Sequence, residues 1–321
     1  MLKFLRLVAV ALLPMLLAWP APAETYPSRV VKIIVPFGAG GPADVYARFL
    51  AQYLSEETKQ SFVVEDRPGA GAIIGTDAVA KSQPDGYTLL LMSNTHSTNE
   101  SLLPNKPYEL MRDFLPVATI NYSDLLMVFH PSVPAKTVAE FIALAKKEPG
   151  KLNYASSGPG TPYHMAGELF KAMSGTDIVH VPHKASGDAR NSVLAGTVQM
   201  MFDAVTVMSG LAKGGQLTAV ATTGLKRSPL TPELPTVAET VPGYEATIWL
   251  GVMAPKGTPK DVIAFLNSSI NKVINRPDVK ESWLKQGAVP LVKTPEEFDA
   301  YLRKDIQKWA EVVKVSGAKV Q

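Results

Sequence analysis

One stretch, Val30–Leu50 (VVKIIVPFGAGGPADVYARFL), narrows the possible folds of this chain more than any other. Val30–Val35 is rich in β-branched residues, without polar alternation. That pattern predicts a strand covered on both faces and running to Phe37. Gly38–Gly41 makes a turn, and Pro42 opens a helix where its missing N–H forfeits no intrahelical bond. A strand, turn and helix in that order aim several N–H groups and the positive end of the helix dipole at one point, where an anion can sit. The same sequence also serves as a plain strand-to-helix connection, because a glycine-rich turn alone is a weak motif.

Length and composition fit a globular protein with room for two cores: 321 residues, 46% hydrophobic and 19% charged. The chain has no cysteine, which excludes disulfides, thiol catalysis, cysteine metal clusters and a lipid-bearing N-terminal cysteine. Residues 1–23 read as an export signal: Lys3 and Arg6, an apolar core Leu7–Leu17, and a small-residue cleavage site at Ala21-Pro22-Ala23. That apolar core is too short for a bilayer span. Without Lys3 and Arg6, 30 of the 32 basic residues remain against 29 acidic ones, so charge gives no support to nucleic-acid binding.

Downstream, strands are expected at Ser61–Glu65, up to Met92, at Leu125–Phe129, Lys151–Ala155, Ile178–Pro182, Val198–Phe202, Leu217–Thr222 and Trp249–Ala254. Helical segments separate most of them, which predicts βαβ units and parallel sheets. Thr95–Asp113 is polar and proline-broken, and reads as mostly irregular. The opening device recurs at Lys151–Gly175: a strand, the turn SSGPG, then a helix with Thr161 as cap and Pro162 just inside. The end of the chain is helical. An α/β unit placed before that ending predicts two lobes joined by two crossings, 24–122 with 250–321 and 123–249, hinged over a ligand. Ligands of open α/β sheets sit beyond the carboxyl ends of strands, where both turns would lie.

Several blocks in order carry a resemblance: YPSRVVKIIVPFGAGGPAD, DRPGAGAIIG, PDGYTLL, PGKLNYASSGPGTPYHMAGELF, HVPHK, GTVQMMFD, PGYEATIWLG and KGTP. Over essentially the whole mature length the chain resembles the substrate-binding proteins of tripartite tricarboxylate transporters, the Bug family. The resemblance implies an α/β, two-lobed binding protein of the type II kind, each lobe a mostly parallel sheet flanked by helices. It implies a monomer in the periplasm that closes on a small carboxylate and presents it to membrane permease subunits, without cofactor or metal. Two departures, His183-Lys184-Ala185 for the family's Tyr-Lys-Gly and Gly38-Ala39 for Ala-Pro, fall near the expected cleft and bear on ligand identity.

The resemblance assigns one ligand carboxylate to backbone groups of the first turn, Phe37, Gly38, Ala39, Gly40 and Gly41, partly through water. Backbone donors satisfy a carboxylate without burying a cation that would stand unpaired in the empty site. Asp44 either touches this ligand or only complements the helix dipole. Ser93, Asn94 and Thr95 either add hydrogen bonds or are solvated. For a second carboxylate the candidates are Ser156, Ser157, Gly160 and Thr161, with Pro162 and Tyr163 in the helix start that follows. His164 and Glu168 lie four apart, but no second histidine stands at zinc-motif spacing. Asp203 faces the cleft or caps the next helix; Lys184 and Arg190 are cations that either reach the ligand or are solvated.

Two other functions compete with capture for transport. One is a sensor that reports the carboxylate to a signalling partner. The other is an exported hydrolase using Ser156 or Ser157 with His164, although no Gly-x-Ser-x-Gly elbow exists. The Gly38 turn lacks the Lys-Ser/Thr of a phosphate loop and the spacing of a dinucleotide motif.

Overall fold

In the computed structural model, which describes residues 25–318, the opening unit forms as β1 (Val31–Val35) and α1 (Pro42–Thr58). The export signal read over residues 1–23 lies outside the described residues. There follow β2 (Phe62–Asp66), α2 (Ile73–Ala80), β3 (Thr88–Ser93), α3 (Asn94–Leu102), α4 (Leu110–Asp113) and β4 (Phe114–Ser123). The chain then enters a second sheet through β5 (Leu125–Phe129), α5 (Val138–Lys147), β6 (Asn153–Ser156), α6 (Pro162–Ser174), β7 (Val179–Pro182), α7 (Ser186–Leu194), β8 (Met200–Ala204), α8 (Val205–Lys213) and β9 (Thr218–Thr222). It returns with β10 (Ile248–Pro255), α9 (Lys260–Ile274), α10 (Pro277–Lys285), β11 (Ala288–Pro290) and α11 (Pro295–Ser316).

The strand orders are β11-β4-β10-β3-β1-β2 and β7-β6-β8-β5-β9. Parallel pairing holds in β2-β1-β3 and β7-β6-β8, while β10, β4 and β11 in one sheet and β5 and β9 in the other bring antiparallel pairs. Both sheets are therefore mixed where mostly parallel ones were expected; the crossings account for β10 and β5, and β11 adds an antiparallel edge after α10. A strand that arrives from the other sheet starts at the shared edge, so it runs against the strands that end there. The registers show this directly: β10 begins with Ile248 opposite Ser123 and Leu250 opposite Ser93, and β5 begins with Leu125 opposite Ala204.

The same registers fix where the two glycine turns lie. Strand β1 is parallel to β3, so Phe37–Gly41 leaves the first sheet at the edge where the crossings attach. Strand β6 is parallel to β8, so Ser157–Thr161 leaves the second sheet at its facing edge.

Each sheet is covered on both faces. Leu50, Leu54, Leu266, Ile270 and Trp283 fill one side of the first sheet; Tyr108, Trp249, Phe298 and Leu302 fill the other. Phe141, Phe170, Phe202 and Tyr244 form the main core of the second sheet. Three tryptophans, Trp249, Trp283 and Trp309, are buried packing residues.

Two segments differ from expectation. Residues 94–102 are helical, not irregular, although Asn94, Thr95, His96, Ser97, Thr98 and Asn99 are polar. All six are buried, so packing overrides propensity there, and a capping box between Ser93 and His96 starts the helix. The ten-residue β4, with Pro116 inside it, has no clear strand pattern in the sequence: its proline interrupts the apolar run, yet neighbours β10 and β11 pair with it on both sides. Among the described residues no helix is long and apolar enough to cross a membrane.

Candidate functional site

The first turn is exposed from Gly38 to Gly40, and Phe37 behind it is half-buried. Gly40 holds φ +75°, a left-handed geometry that glycine adopts without a Cβ penalty. Its N–H donates to Asp44 Oδ2 at 2.7 Å, and the Gly41 N–H reaches back to the Gly38 carbonyl at 3.4 Å. Asp44 is buried and also pairs with Arg48 at 2.6 Å; Arg48 in turn holds Asp66 at 2.7 Å. Asp44 thus anchors its own turn. The N–H groups of Gly38 and Ala39 take no partner among the described residues.

Beside this turn lies a segment that sequence reasoning left out. Gly69, Ala70, Gly71 and Ala72 all have positive φ, at 135°, 48°, 63° and 77°. A left-handed alanine costs roughly 1–2 kcal/mol, so the two alanines need holding in place. Asn99 Nδ2 donates to the Gly71 carbonyl at 2.8 Å, and Thr76 Oγ1 donates to the Ala72 carbonyl at 2.7 Å. The Thr76 hydroxyl lies 2.9 Å from His96 Nε2, while His96 Nδ1 accepts from the Ser93 N–H at 3.2 Å. With the Thr76 hydroxyl proton given to Ala72, the bond to His96 is completed by a proton on Nε2. Burial pushes the His96 pKa down to about 4, which keeps the ring neutral. The Phe37 ring meets His96 edge-on at 5.8 Å. His96 therefore ties together the ends of β1 and β3 and the 69–72 segment. The alternating Gly-Ala-Gly-Ala was the sequence signal for that strained loop.

Of the residues expected at β3's end, Ser93 accepts from the Thr95 N–H as cap of α3, and Asn94 Nδ2 donates to the Thr247 carbonyl at 3.3 Å. Thr95 is buried beside them.

The second turn is more self-contained. Thr161 Oγ1 donates to the Gly158 carbonyl at 2.7 Å and accepts from the His164 N–H at 3.4 Å, which caps α6 behind Pro162. His164 points inward, its Nδ1 accepting from the Gly160 N–H at 3.0 Å. Ser156 is fully buried, with Oγ 2.6 Å from His180 Nε2 and accepting from the Gly158 N–H at 3.1 Å. Half-buried Ser157 has an N–H with no partner among the described residues. Behind the turn, His164 and His180 stack at 4.0 Å, and Tyr154 donates to Glu168. Burial pushes His164 down to about 4 and His180 to about 3.

Gly160 also has φ +75°, and a Cβ there would lie 2.6 Å from Leu102 of α3. The second turn therefore packs directly against the helix that follows β3, and the ends of the two sheets meet. At the end of β8, Asp203 is fully buried; Arg190 Nε donates to it at 2.6 Å, and Tyr163 lies near the same carboxylate. Burial raises the Asp203 pKa while Arg190 pulls against that rise. Lys184 is exposed on the segment between β7 and α7.

The chain is similar to known proteins along nearly its whole length. The sequence model described as tripartite tricarboxylate transporter family receptor matches residues 46–318. The chain is 37% identical to BugT of Bordetella pertussis, over 100% of this chain and 99% of that protein. Among solved structures it is similar to an R. palustris protein determined with adipate (TM-score 0.83, 34% identity, 92% of this chain and 100% of that one). It is also similar to the periplasmic binding protein BugD (TM-score 0.79, 35% identity, 92% and 100%).

Proposed function

This chain belongs to the tripartite tricarboxylate transporter family of receptors, and from that premise we propose that it captures a small dicarboxylate or aromatic carboxylate between its two sheets and delivers it to the permease subunits of such a transporter. The observation that carries the reading is topological. Two glycine turns leave parallel strands at the two edges joined by the crossings, and Gly160 of one turn touches α3 of the other sheet. A ligand held between them meets Gly38 and Ala39 on one side and the Ser157–Tyr163 segment on the other, with Ser93, Asn94, Thr95, Lys184 and Asp203 around it.

In this reading the lobes are residues 24–122 with 250–321, and 123–249, a division supported by the crossings from β4 to β5 and from β9 to β10. The protein acts as a monomeric receptor in the periplasm, exported by residues 1–23, and not as an enzyme. Against the hydrolase alternative stand the burial of Ser156 and the hydrogen bond that commits His164 Nδ1 to the Gly160 N–H. Adipate bound to a similar protein supports a dicarboxylate.

The test is thermal unfolding of the purified chain across a carboxylate series. A ligand present at 100 times its Kd adds about 2.7 kcal/mol to stability. At least one small carboxylate is expected to raise the midpoint in a dose-dependent way. No response to any mono-, di- or tricarboxylate contradicts the reading.

A further inference from the structure

At the cleft edge of the second sheet one cation is only half used. Arg190 lies in α7 and Asp203 is the last but one residue of β8. The Asp203 side chain is 0% exposed, that of Arg190 27%, and the contact between them is a single 2.6 Å hydrogen bond from Nε. The terminal Nη groups take no partner among the described residues.

Their position follows from the topology. Strand β7 is parallel to β6 and ends at the shared edge, so α7 starts at that edge and runs away from it. Side chains on a helix tilt toward its N-terminus, which carries the guanidinium of Arg190 back up to the edge. Asp203 there is the strand neighbour of the second glycine turn, and Tyr163, in the first turn of α6, lies near the same carboxylate. A planar guanidinium fixed along one side by a buried carboxylate has lost most of its rotamer freedom before any ligand arrives. It offers a forked pair of donors matched to a second carboxylate.

We propose that Arg190, clamped by Asp203, is the specificity residue that makes the cleft prefer a ligand with a second anionic group over the matching monocarboxylate. This rests on reading the cleft as a carboxylate site. The alternative role for Arg190 is only to neutralise Asp203. Neutralisation needs one positive charge, which a lysine supplies, whereas the spare fork belongs to arginine alone.

Calorimetric titration of the full-length protein with straight-chain dicarboxylates from succinate to suberate, and with the monocarboxylates of equal length, separates these roles. The wild type is expected to prefer the best dicarboxylate over its monocarboxylate by at least about tenfold, the equivalent of one good charge-assisted contact. Arg190→Lys should bring that preference within about threefold by weakening the dicarboxylate alone, with the melting temperature little changed. Should Arg190→Lys fail to fold, the double variant Arg190→Met/Asp203→Asn, which leaves no unpaired buried charge, is expected to show the same collapse. An unchanged preference in a folded variant, or a parallel loss for both ligand classes, overturns the role of Arg190 and leaves the carboxylate site standing. A wild type that binds neither class overturns both.

Discussion

Two buried histidines, His96 and His164, and the half-buried His180 are each held well below the ordinary pKa, and His164 accepts a hydrogen bond that only a neutral ring can take. The sign of their effect on stability follows. Above about pH 6.5 they are neutral in both the folded and unfolded chain. As pH falls below that value the unfolded chain takes up protons that the native state refuses until about pH 4 for His96 and His164 and about pH 3 for His180, so stability is lost in that window. Two carboxyls act the other way. Burial raises Asp124 and Asp305 to about 6, so each protonates in the native state first and regains stability as pH falls from 6 toward 4. The wild type is therefore expected to lose stability gently on acidification. Asp305→Asn removes one opposing group, and its loss between pH 6 and 4 should steepen by at most about 1.4 kcal/mol per pH unit. Urea unfolding at several pH values measures this; equal slopes for wild type and variant contradict the assignment.

Helix α11 is the element that ties the sheets together. Its 22 residues pass from one core to the other: Phe298 and Leu302 pack with Trp249 on the first sheet, while Trp309 and Val312 pack in the main core of the second. Between those halves Asp305 lies near Ser97 of α3 and the indoles of Trp249 and Trp309 without a hydrogen bond to them, and Lys308 donates to the carbonyl of Glu245 in the returning crossing. Trp309→Ala is expected to cost about 3–5 kcal/mol, the range for a buried tryptophan. A loss below about 1 kcal/mol in denaturant unfolding means that the end of α11 does not belong to the second core. The start of this helix was legible, since Thr294, Pro295 and Glu297 make a capping box with proline at its first position. Its attachment to two cores was not, because an amphipathic stripe says that a face is buried and not against what. Helix α3 hid for the opposite reason: its face toward the core is polar, so no apolar period marks it.

Across the whole molecule, the two strand-turn-helix units and the double crossing were readable because each depends on local chemistry: apolar β-branched runs, glycine, and a proline one residue inside the helix. The commitments within the turns were not. Nothing in the sequence says that Asp44 is spent on Gly40, that Thr161 is spent on Gly158, or that Arg190 reaches Asp203. Those depend on side-chain direction after folding. The central claim is that one ligand is held between both turns, and paired substitution tests it most directly. Gly40→Val forces a β-branched residue into φ +75° with open space around its Cβ, which displaces the N–H groups of the first turn without a packing clash. Gly160→Val meets the same backbone conflict and in addition drives its Cβ to 2.6 Å from Leu102, which holds the two turns apart. Calorimetric titration of both folded variants with the dicarboxylate that binds the wild type best is expected to show each weakened by at least about tenfold, the equivalent of roughly 1.4 kcal/mol. If both folded variants bind that ligand as the wild type does, the turns are connections only and the ligand is held elsewhere.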